Sequence, residues 1–286
     1  MTDLRLVMFN ARSLIGKLPS LRALVHSENP DIVLITETWL TKETTPEHIS
    51  VAGYQSFGVN RLTRRGGGCL VYIKQPFCAS TLQHPVLDKI PDSIWLSLPC
   101  GQLQLLIGCI YQPPNDCIND VKHITDAFSH VSDLPFHVKI IGGDFNAPQI
   151  CWSSLRAPRK LLSFVSCVRL GRWTQHVTSP TRGNNILDLI FTQGLSKVKA
   201  NVLNCFPGSD HKVVTLNFAI PPMNNITQPK HMSCRSFSYN NNNNNCIFLD
   251  LMRDACVRAR SIDNLVHEHL INKIIHNGKN NKFRNR

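Results

Sequence analysis

The sequence predicts an α/β fold in which two β-sheets pack together and helices cover their outer faces. Two observations support this prediction. Apolar runs of strand length recur along the first 220 residues, and segments with helical periodicity lie between several of them. Strands that alternate with helices in this way are typical of α/β proteins. The chain has 286 residues, of which 42% are hydrophobic, so it can bury a core of this size.

The apolar runs predict eight strands. The run IVLI at 32–35 is continuously apolar, as expected of a strand that is buried on both faces. The run at 137–141 ends in β-branched residues, and Gly142 and Gly143 follow it, which permits a tight turn or a close backbone approach. In chain order, the predicted strands lie near 4–9, 32–36, 69–73, 94–98, 103–110, 137–141, 187–191 and 213–218.

Three segments between these strands predict helices. The third, PRKLLSFVSCVRLG, begins at a proline and ends at Gly171, residue types that often start and stop helices. In the first two, LPSLRALVHSE and DVKHITDAFSHVSDL, helical spacing brings apolar residues to one face. These residues are Leu18, Leu21, Leu24 and Val25 in the first, and Val121, Ile124, Phe128 and Val131 in the second.

The character of the sequence changes after residue 220. Pro221 and Pro222 end the last predicted strand, and a run of six asparagines further on cannot build a packed core. We therefore expect one domain over 1–220 and a basic, asparagine-rich tail over 221–286. The tail is expected to be disordered apart from a helix near 247–275, which either binds a partner or begins a further domain.

The charge balance favours a polyanionic partner such as nucleic acid, because the formal net charge is +12. Half of this excess lies in the tail, which has 10 Lys or Arg against 4 Asp or Glu. There is no run of eighteen apolar residues and no secretory pattern, so we expect no membrane span and no export. The eleven cysteines show no metal-binding spacing and indicate free thiols in a reducing compartment.

Polar residues cluster at the ends of the predicted strands. These residues are Asn10, Glu37, Tyr111, Asp144, Asn146, Ser209, Asp210 and His211. Asp188 instead lies inside an apolar strand, where an ionised carboxylate is costly without a partner, and His211 is a candidate partner. Taken singly, each of these residues is also compatible with an ordinary cap, turn or packing role. Together they supply oxygen ligands for a hard cation such as Mg²⁺, donors for phosphate oxygens and an acid that can orient water.

Seven motifs in order make the chain similar to a known family. They are FNARSL, ITETWL, RRGGGCLVYIK, YQPP, GDFNAP, LDLIFT and GSDH, all within residues 1–220. This set resembles the endonuclease/exonuclease/phosphatase family, most closely the endonuclease domains of non-LTR (LINE-type) retrotransposons and more distantly AP endonucleases. The resemblance implies a DNase I-like fold, a four-layered α/β sandwich with two mixed β-sheets.

The resemblance also implies a metal site. Glu37 is then the principal Mg²⁺ ligand, with Mn²⁺ as an alternative ion, and Asn10 assists near the metal and the phosphate. Asp210 is expected near the metal or on the leaving-group side. Residue 12 is an arginine where the repair members of the family carry an acid, although basic or polar residues fit the retrotransposon branch.

The implied catalytic residues surround the phosphate. Asp144 orients or deprotonates the attacking water, and Asn146 holds this water or a phosphate oxygen. Tyr111 donates to the phosphate and His211 contacts it, while Asp188 fixes the ring of His211 and favours its protonated form. We expect Asp188 and His211 to lie within hydrogen-bonding distance of each other.

The resemblance implies an endonuclease that nicks double-stranded DNA and leaves a 3′-hydroxyl that primes reverse transcription. Arg61, Arg64 and Arg65 precede three glycines and are expected to contact DNA phosphates, although an exposed hairpin without a partner is the alternative. A nuclear location follows only from the substrate, since no targeting signal is seen. The other hypotheses are a phosphomonoesterase with the same fold and an inactive, truncated retrotransposon remnant, since no reverse transcriptase domain is present.

Overall fold

The computed structural model describes residues 2–61, 65–114 and 118–220. The predicted tail, 221–286, and the predicted DNA contact Arg64 lie outside the described residues. Within the described part of the chain, twelve strands form two six-stranded sheets. None of the described helices is long and apolar enough to cross a membrane.

Both sheets are mixed. The first contains, in spatial order, β11 (Val198–Cys205), β12 (Lys212–Ile220), β1 (Thr2–Asn10), β2 (Ile32–Thr36), β4 (Cys69–Lys74) and β3 (Tyr54–Val59). The second contains β5 (Ser80–Thr81), β6 (Ser93–Cys100), β7 (Leu103–Tyr111), β8 (Val138–Asp144), β10 (Asp188–Gln193) and β9 (Thr174–Gln175). The parallel pairs are β1 with β2 and β7 with β8, and the other paired strands are antiparallel.

The sheets face each other across a shared apolar core, which includes Met8 from the first and Ile140 from the second. Helix α1 (Leu18–Glu28) packs its apolar side on the outer face of the first sheet. Helices α2 (Ile118–Asp133) and α3 (Leu162–Leu170) pack on the outer face of the second. The order helix, sheet, sheet, helix confirms the predicted four-layered α/β sandwich.

All eight predicted strands and all three predicted helices are present. Four further strands, β3, β5, β9 and β11, were not predicted, and they occupy the two edges of each sheet. Helix α3 begins later than its sequence pattern indicates, because a 3₁₀ turn at Arg159–Leu161 precedes it.

The two glycines before Asp144 lie inside β8, which extends past the predicted end of this strand. Gly143 has a φ of +147°, and a Cβ there would lie 1.8 Å from the carbonyl oxygen of Ile110 on β7. A Cβ on Gly142 would lie 2.9 Å from the sulfur of Met8 on the facing sheet. The two glycines therefore allow β7 and the side chains of the facing sheet to approach β8 closely, and they do not form a turn.

Candidate active site

The strand pairing gathers the predicted polar residues at one end of the sandwich. In the parallel pair β1 and β2, Asn10 is opposite Thr36, the residue before Glu37. In the parallel pair β7 and β8, Tyr111 is opposite Asp144. The antiparallel strand β10 then aligns Asp188 with Asp144. Sites in α/β proteins commonly form at such strand ends, where side chains from several strands meet.

Asn10 connects the two sheets at the centre of the site. Its side-chain nitrogen, Nδ2, donates to Oε1 of Glu37 at 2.9 Å and to Oδ2 of Asp144 at 2.8 Å. Its Oδ1 accepts from the backbone N–H of Arg12 at 3.0 Å. The buried amide thus holds two carboxylates beside each other, and its own orientation is fixed by the loop that follows β1.

Glu37 adopts a left-handed backbone conformation, with φ of +49°, immediately after β2. This conformation is uncommon for residues with a side chain and is often found at functional sites. The second oxygen of Glu37, Oε2, accepts from the indole N–H of Trp39 at 3.1 Å. The carbonyl oxygen of Glu37 accepts from the backbone N–H of Ser13 at 2.8 Å, which ties this turn to the loop after β1.

Asp144 is fully buried at the end of β8. Its Oδ1 accepts from the backbone N–H of Asn146 at 3.1 Å, and Asn146, with φ of +45°, donates from Nδ2 to the carbonyl oxygen of Gln112 at 2.7 Å. Burial raises the pKa of Asp144 to about 8, and the neighbouring Asp188 adds to this, although His211 and Asn10 oppose it. The neutral, protonated form of Asp144 is therefore favoured up to a pH of about 8 when no cation is bound.

His211 and Asp188 form a buried pair. Nδ1 of His211 lies 2.8 Å from Oδ2 of Asp188, while Nε2 lies 3.9 Å from Oδ2 of Asp144. Burial alone would lower the pKa of His211, but the hydrogen bond and charge of Asp188 outweigh it and raise the pKa. Thr181 holds the start of β10, because its hydroxyl oxygen accepts from the backbone N–H of Asp188 at 3.1 Å.

Tyr111 lies against the same carboxylates. Burial raises the pKa of its hydroxyl above the ordinary value, and the charges of Glu37 and Asp144 raise it further. The phenol therefore stays protonated and is available as a hydrogen-bond donor. The guanidinium of Arg61 lies 5.5 Å from the centre of the Tyr111 ring.

Asp210 faces two arginines in this structure. Its Oδ1 accepts from Arg12 and its Oδ2 accepts from Arg182, each at 2.8 Å. Burial would raise the pKa of Asp210, but these hydrogen bonds lower it to about 2. Because both carboxylate oxygens contact guanidinium groups, the predicted role of Asp210 near the metal has less support here than that of Glu37. The pairing with Arg182 was not predicted.

Arg61 does not have the exposed position that the sequence led us to expect. Its side chain is 11% exposed and forms an ion pair with Asp92, which is 4% exposed, with Nε donating to Oδ2 at 2.9 Å. The other oxygen, Oδ1 of Asp92, accepts from the backbone N–H of Gly68 at 2.8 Å. Arg61 is therefore a largely buried anchor for the glycine segment, and its contact with DNA stays a prediction that this position does not favour. Nothing in the sequence around Asp92 indicated this role.

The glycine segment approaches the chain's own turn rather than an open surface. The carbonyl oxygen of Gly67 accepts from the backbone N–H of Trp39 at 3.1 Å. A Cβ on Gly68, with φ of +83°, would lie 2.7 Å from the hydroxyl oxygen of Thr38. Arg65 is exposed, and its guanidinium lies 5.2 Å from the centre of the Trp39 ring. Of the three predicted DNA-binding arginines, Arg65 alone has an exposed position within the described residues.

The donor set fits a hard divalent cation. The side-chain nitrogen of Asn10 holds the carboxylates of Glu37 and Asp144 beside each other, and carboxylate oxygens are ligands that Mg²⁺ prefers. Ligand atoms of Asp144, Asp188 and His211 also lie within 4.8 Å of one another. Burial is the main cause of the raised pKa of Asp144, and a nearby cation would favour its ionised form. Glu37 and Asn10 are the residues that would hold this cation.

Two packed mixed sheets that carry a buried carboxylate, amide and imidazole cluster at their strand ends define a phosphoester-hydrolase type of site. A sequence model of the endonuclease/exonuclease/phosphatase family matches residues 9–211, which is more than half of the chain. The chain therefore belongs to the endonuclease/exonuclease/phosphatase family. The match extends from the end of β1 to His211 and includes every predicted catalytic and metal-binding residue.

Curated relatives come from transposons of Drosophila melanogaster. The chain is 25% identical over 232 residues to the probable RNA-directed DNA polymerase from transposon X-element, which covers 76% of this chain and 24% of that protein. It is 25% identical over 208 residues to the RNA-directed DNA polymerase from mobile element jockey, covering 70% of this chain and 22% of that protein. The match thus spans about a quarter of the length of these curated relatives.

Solved structures show the same fold. An AP endonuclease from Leishmania major superposes with a TM-score of 0.64 at 15% identity, covering 77% of this chain and 88% of that chain. The endonuclease domain of TRAS1, a telomere-specific non-LTR retrotransposon, superposes with a TM-score of 0.59 at 16% identity, covering 77% and 99%. Together with the family match and the curated relatives, this shared fold confirms the predicted resemblance to retrotransposon endonuclease domains and AP endonucleases.

Proposed function

We propose that the chain is a Mg²⁺-dependent endonuclease that nicks one strand of double-stranded DNA and leaves a 3′-hydroxyl. The main support is the hydrogen-bonded set in which Asn10 bridges Glu37 and Asp144. In this set, the carboxylate of Glu37 is partly exposed and can bind a cation. The carboxylate of Asp144 is buried and has a raised pKa, so it can accept a proton. The paired His211 and Asp188 lie against the same buried carboxylate.

The proposed reaction is hydrolysis of a phosphodiester. Asp144 accepts the proton of a water molecule while the oxygen of this water bonds to phosphorus, and Asn146 holds the water. The bond from phosphorus to the 3′ oxygen breaks, and this oxygen takes a proton from solvent. A divalent cation beside Glu37 and Asn10 would supply positive charge that favours ionised Asp144 and offsets charge on the phosphate.

The neutral and cationic donors act on the phosphate oxygens. Tyr111 keeps its hydroxyl proton because its pKa is raised, so it can donate to a phosphate oxygen. His211, whose pKa is also raised, donates through Nε2, while Asp188 holds the proton on Nδ1. Donors that are already in place stabilise the charge that develops in the transition state.

The biological role that we propose is priming of reverse transcription. The curated relatives are named as RNA-directed DNA polymerases of mobile elements, and a 3′-hydroxyl in nicked DNA is a primer for such an enzyme. A chromosomal target would require the protein to act in the nucleus. We further propose that residues 1–220 are the complete catalytic domain.

The test is nicking of supercoiled plasmid by the full chain with MgCl₂, compared with EDTA and with Asp144→Asn. The nicked product should be extended by a DNA polymerase without prior phosphatase treatment, because a 3′-hydroxyl is a primer and a 3′-phosphate is not. Release of inorganic phosphate from a phosphate monoester, without nicking, would instead support the phosphomonoesterase. Loss of both activities in a folded protein would support an inactive remnant.

A further inference from the structure

The segment between the two buried carboxylates Asp144 and Asp188 contains no acidic residue. It contains six cationic residues, the largest number in any acid-free stretch of the first 220 residues, although 4–27 and 48–87 carry four each. The six are Arg156, Arg159, Lys160, Arg169, Arg172 and Arg182. A surface of this composition attracts a polyanion, and its attraction is not weakened by acids of the same segment.

Packing turns these cations outward. The apolar residues of α3 and its flanks, including Phe164, Val168 and Trp173, are buried against the second sheet. Arg156, Arg159, Lys160, Arg169 and Arg172 are exposed, whereas Arg182 is partly buried and pairs with Asp210. The charge is therefore presented to solvent on the side of the segment that faces away from the core.

Four of these arginines have no intramolecular ion pair in the described part of the chain. They are Arg156, Arg159, Arg169 and Arg172. Their guanidinium groups are free of acidic partners there, so they can contact phosphate without first breaking a salt bridge. Arginine also suits this contact because its planar guanidinium can donate two parallel hydrogen bonds to a phosphate.

Arg156 and Arg159 are the near pair: the carbonyl oxygen of Arg156 accepts from the backbone N–H of Cys151, five residues after Asn146, and Arg159 begins the 3₁₀ turn that follows. Leu161, in the same 3₁₀ turn as Arg159, lines a small apolar cavity with Phe145 and Gln112. The carbonyl oxygen of Gln112 in turn accepts the hydrogen bond from Asn146. The turn that carries Arg159 is thus one layer of side chains away from the predicted catalytic amide.

Arg169 and Arg172, the far pair, lie at the other end of α3. Gly171, between them, accepts a hydrogen bond at its carbonyl oxygen from the side chain of Gln193. Gln193 is opposite Lys139 near the start of β8. Lys139 is five residues before Asp144, which corresponds to about 17 Å along a strand. The two pairs carry equal charge on one segment but differ in their distance from the site.

We propose that the near pair contacts the DNA backbone beside the scissile phosphate, whereas the far pair does not. This inference rests on the proposed function and specifies where the substrate runs past the site. Arg156 and Arg159 hold phosphates that flank the cut, so they position the DNA without contacting the reacting atoms. The partner is a nucleic-acid backbone and not an acidic protein, because the proposed reaction already brings DNA to the active-site end of the sandwich.

The test compares two variants of the full chain, Arg156→Ala/Arg159→Ala and Arg169→Ala/Arg172→Ala, which lose the same charge. Binding of a short fluorescein-labelled duplex is followed by anisotropy in EDTA over a series of KCl concentrations. Each lost phosphate contact should reduce the slope of log K against log salt by about 0.9, so the near-pair variant should lose about 1.8. The far-pair variant should keep the wild-type slope. Arg156→Lys/Arg159→Lys should have a slope close to that of wild type, because lysine keeps the charge that the near-pair alanine variant loses.

Equal slopes for the near-pair variant and wild type, or equal losses in both variants, would overturn the inference. If the near-pair alanine variant has a lower melting temperature, the slope is compared with that of Arg156→Lys/Arg159→Lys. This lysine variant keeps the charge at both positions, so a slope near that of wild type assigns the alanine effect to charge. Plasmid nicking by the wild type separates this result from the proposed function. Nicking with an unchanged near-pair slope refutes the surface alone, whereas the expected slopes without any nicking refute the endonuclease alone.

Discussion

Nδ1 of His211 lies 2.8 Å from Oδ2 of Asp188, and both side chains are 1% exposed. The two residues are 23 positions apart: Asp188 is the first residue of β10, and His211 directly precedes β12. The predicted contact is therefore confirmed. The second oxygen of Asp188, Oδ1, has no hydrogen-bond partner among the described residues. The charge of Asp188 acts on the imidazole of His211 and on the carboxyl of Asp144, and it raises the pKa of both groups.

Asp188→Asn should lower the rate of nicking and move its pH profile. The carboxylate of Asp188 raises the pKa of His211 against the effect of burial, so its loss lowers this pKa. His211 then loses its proton at a lower pH, and the alkaline limb of the profile should shift to lower pH. The exposed Asp133→Asn is the control. A slower variant with an unshifted alkaline limb would contradict the role of the pair.

Glu37→Gln should abolish most nicking and raise the Mg²⁺ concentration that gives half-maximal activity. The amide keeps the shape of the side chain but removes the charge that would bind the cation. Glu47→Gln, at an exposed position, is the matched control. Metal binding is measured independently by calorimetric titration of the protein without DNA. Wild-type binding of Mg²⁺ by the folded Glu37→Gln variant would exclude Glu37 as the principal ligand.

Asp144→Asn should reduce nicking by about 10²–10⁴-fold, the usual contribution of one acid-base group. It should also change the pH dependence of stability in EDTA. The pKa of Asp144 rises from 3.8 to about 8 on folding, so its contribution to stability is present below 3.8 and is lost as the pH rises through about 8. The variant should therefore become more stable than wild type at alkaline pH.

Chemical denaturation at several pH values in EDTA measures this difference in the free energy of unfolding. The exposed Asp88→Asn should show no such pH dependence relative to wild type. A difference between Asp144→Asn and wild type that stays constant with pH would mean that Asp144 is ionised in the folded protein without a cation.

The sequence predicted the interior of each sheet but none of its edges. Every predicted strand has neighbours on both sides, and burial there requires the apolar runs that periodicity detects. The edge strands β3, β5, β9 and β11 have one neighbour each and are largely exposed or half-buried, so their sequences lack such runs. Two of them have only two residues, which is too short for any periodic pattern.

The residues of the site were more predictable than their partners. Asn10, Glu37, Tyr111 and Asp144 each lie at the end of a predicted strand, and the parallel pairs β1–β2 and β7–β8 align these ends within each sheet. The burial of Arg61 and its pairing with Asp92 depend on how a loop folds back, and local sequence does not encode that contact.

Arg61→Ala should destabilise the fold and leave the salt dependence of DNA binding unchanged. Removing one partner of a buried ion pair typically costs about 3–5 kcal/mol, because the remaining charge is left without compensation. Asp92 would be that charge, at 4% exposure. Denaturant unfolding gives the stability, and anisotropy against KCl gives the slope. A stable variant with a reduced slope would restore Arg61 to the DNA interface.

Arg61→Ala/Asp92→Asn is the second variant, which removes the uncompensated charge while keeping an acceptor for the backbone N–H of Gly68. It should recover part of the lost stability if the cost arises from the unpaired carboxylate. Equal stability of the single and double variants would show that the guanidinium acts through packing instead.

Truncation after Ile220 should leave a folded and active domain. Ile220, the last residue of β12, is opposite Thr2 at the start of β1, so all the described strands of the first sheet lie within residues 2–220. All proposed catalytic and metal-binding residues lie between Asn10 and His211. The tail has a charge of +6 and few apolar residues near its start, so we expect it to add only non-specific DNA affinity that fades as salt rises.

The melting temperature and nicking rate of 1–220 are compared with those of the full chain at about 0.15 M salt, where surface charges are partly screened. A chain that ends at Cys205 is the control, because it lacks β12 and should not fold. An insoluble 1–220 protein, or a soluble one that cannot nick DNA which the full chain nicks, would mean that residues beyond 220 complete the domain. Equal rates at this salt, with weaker binding at low salt, are the expected result.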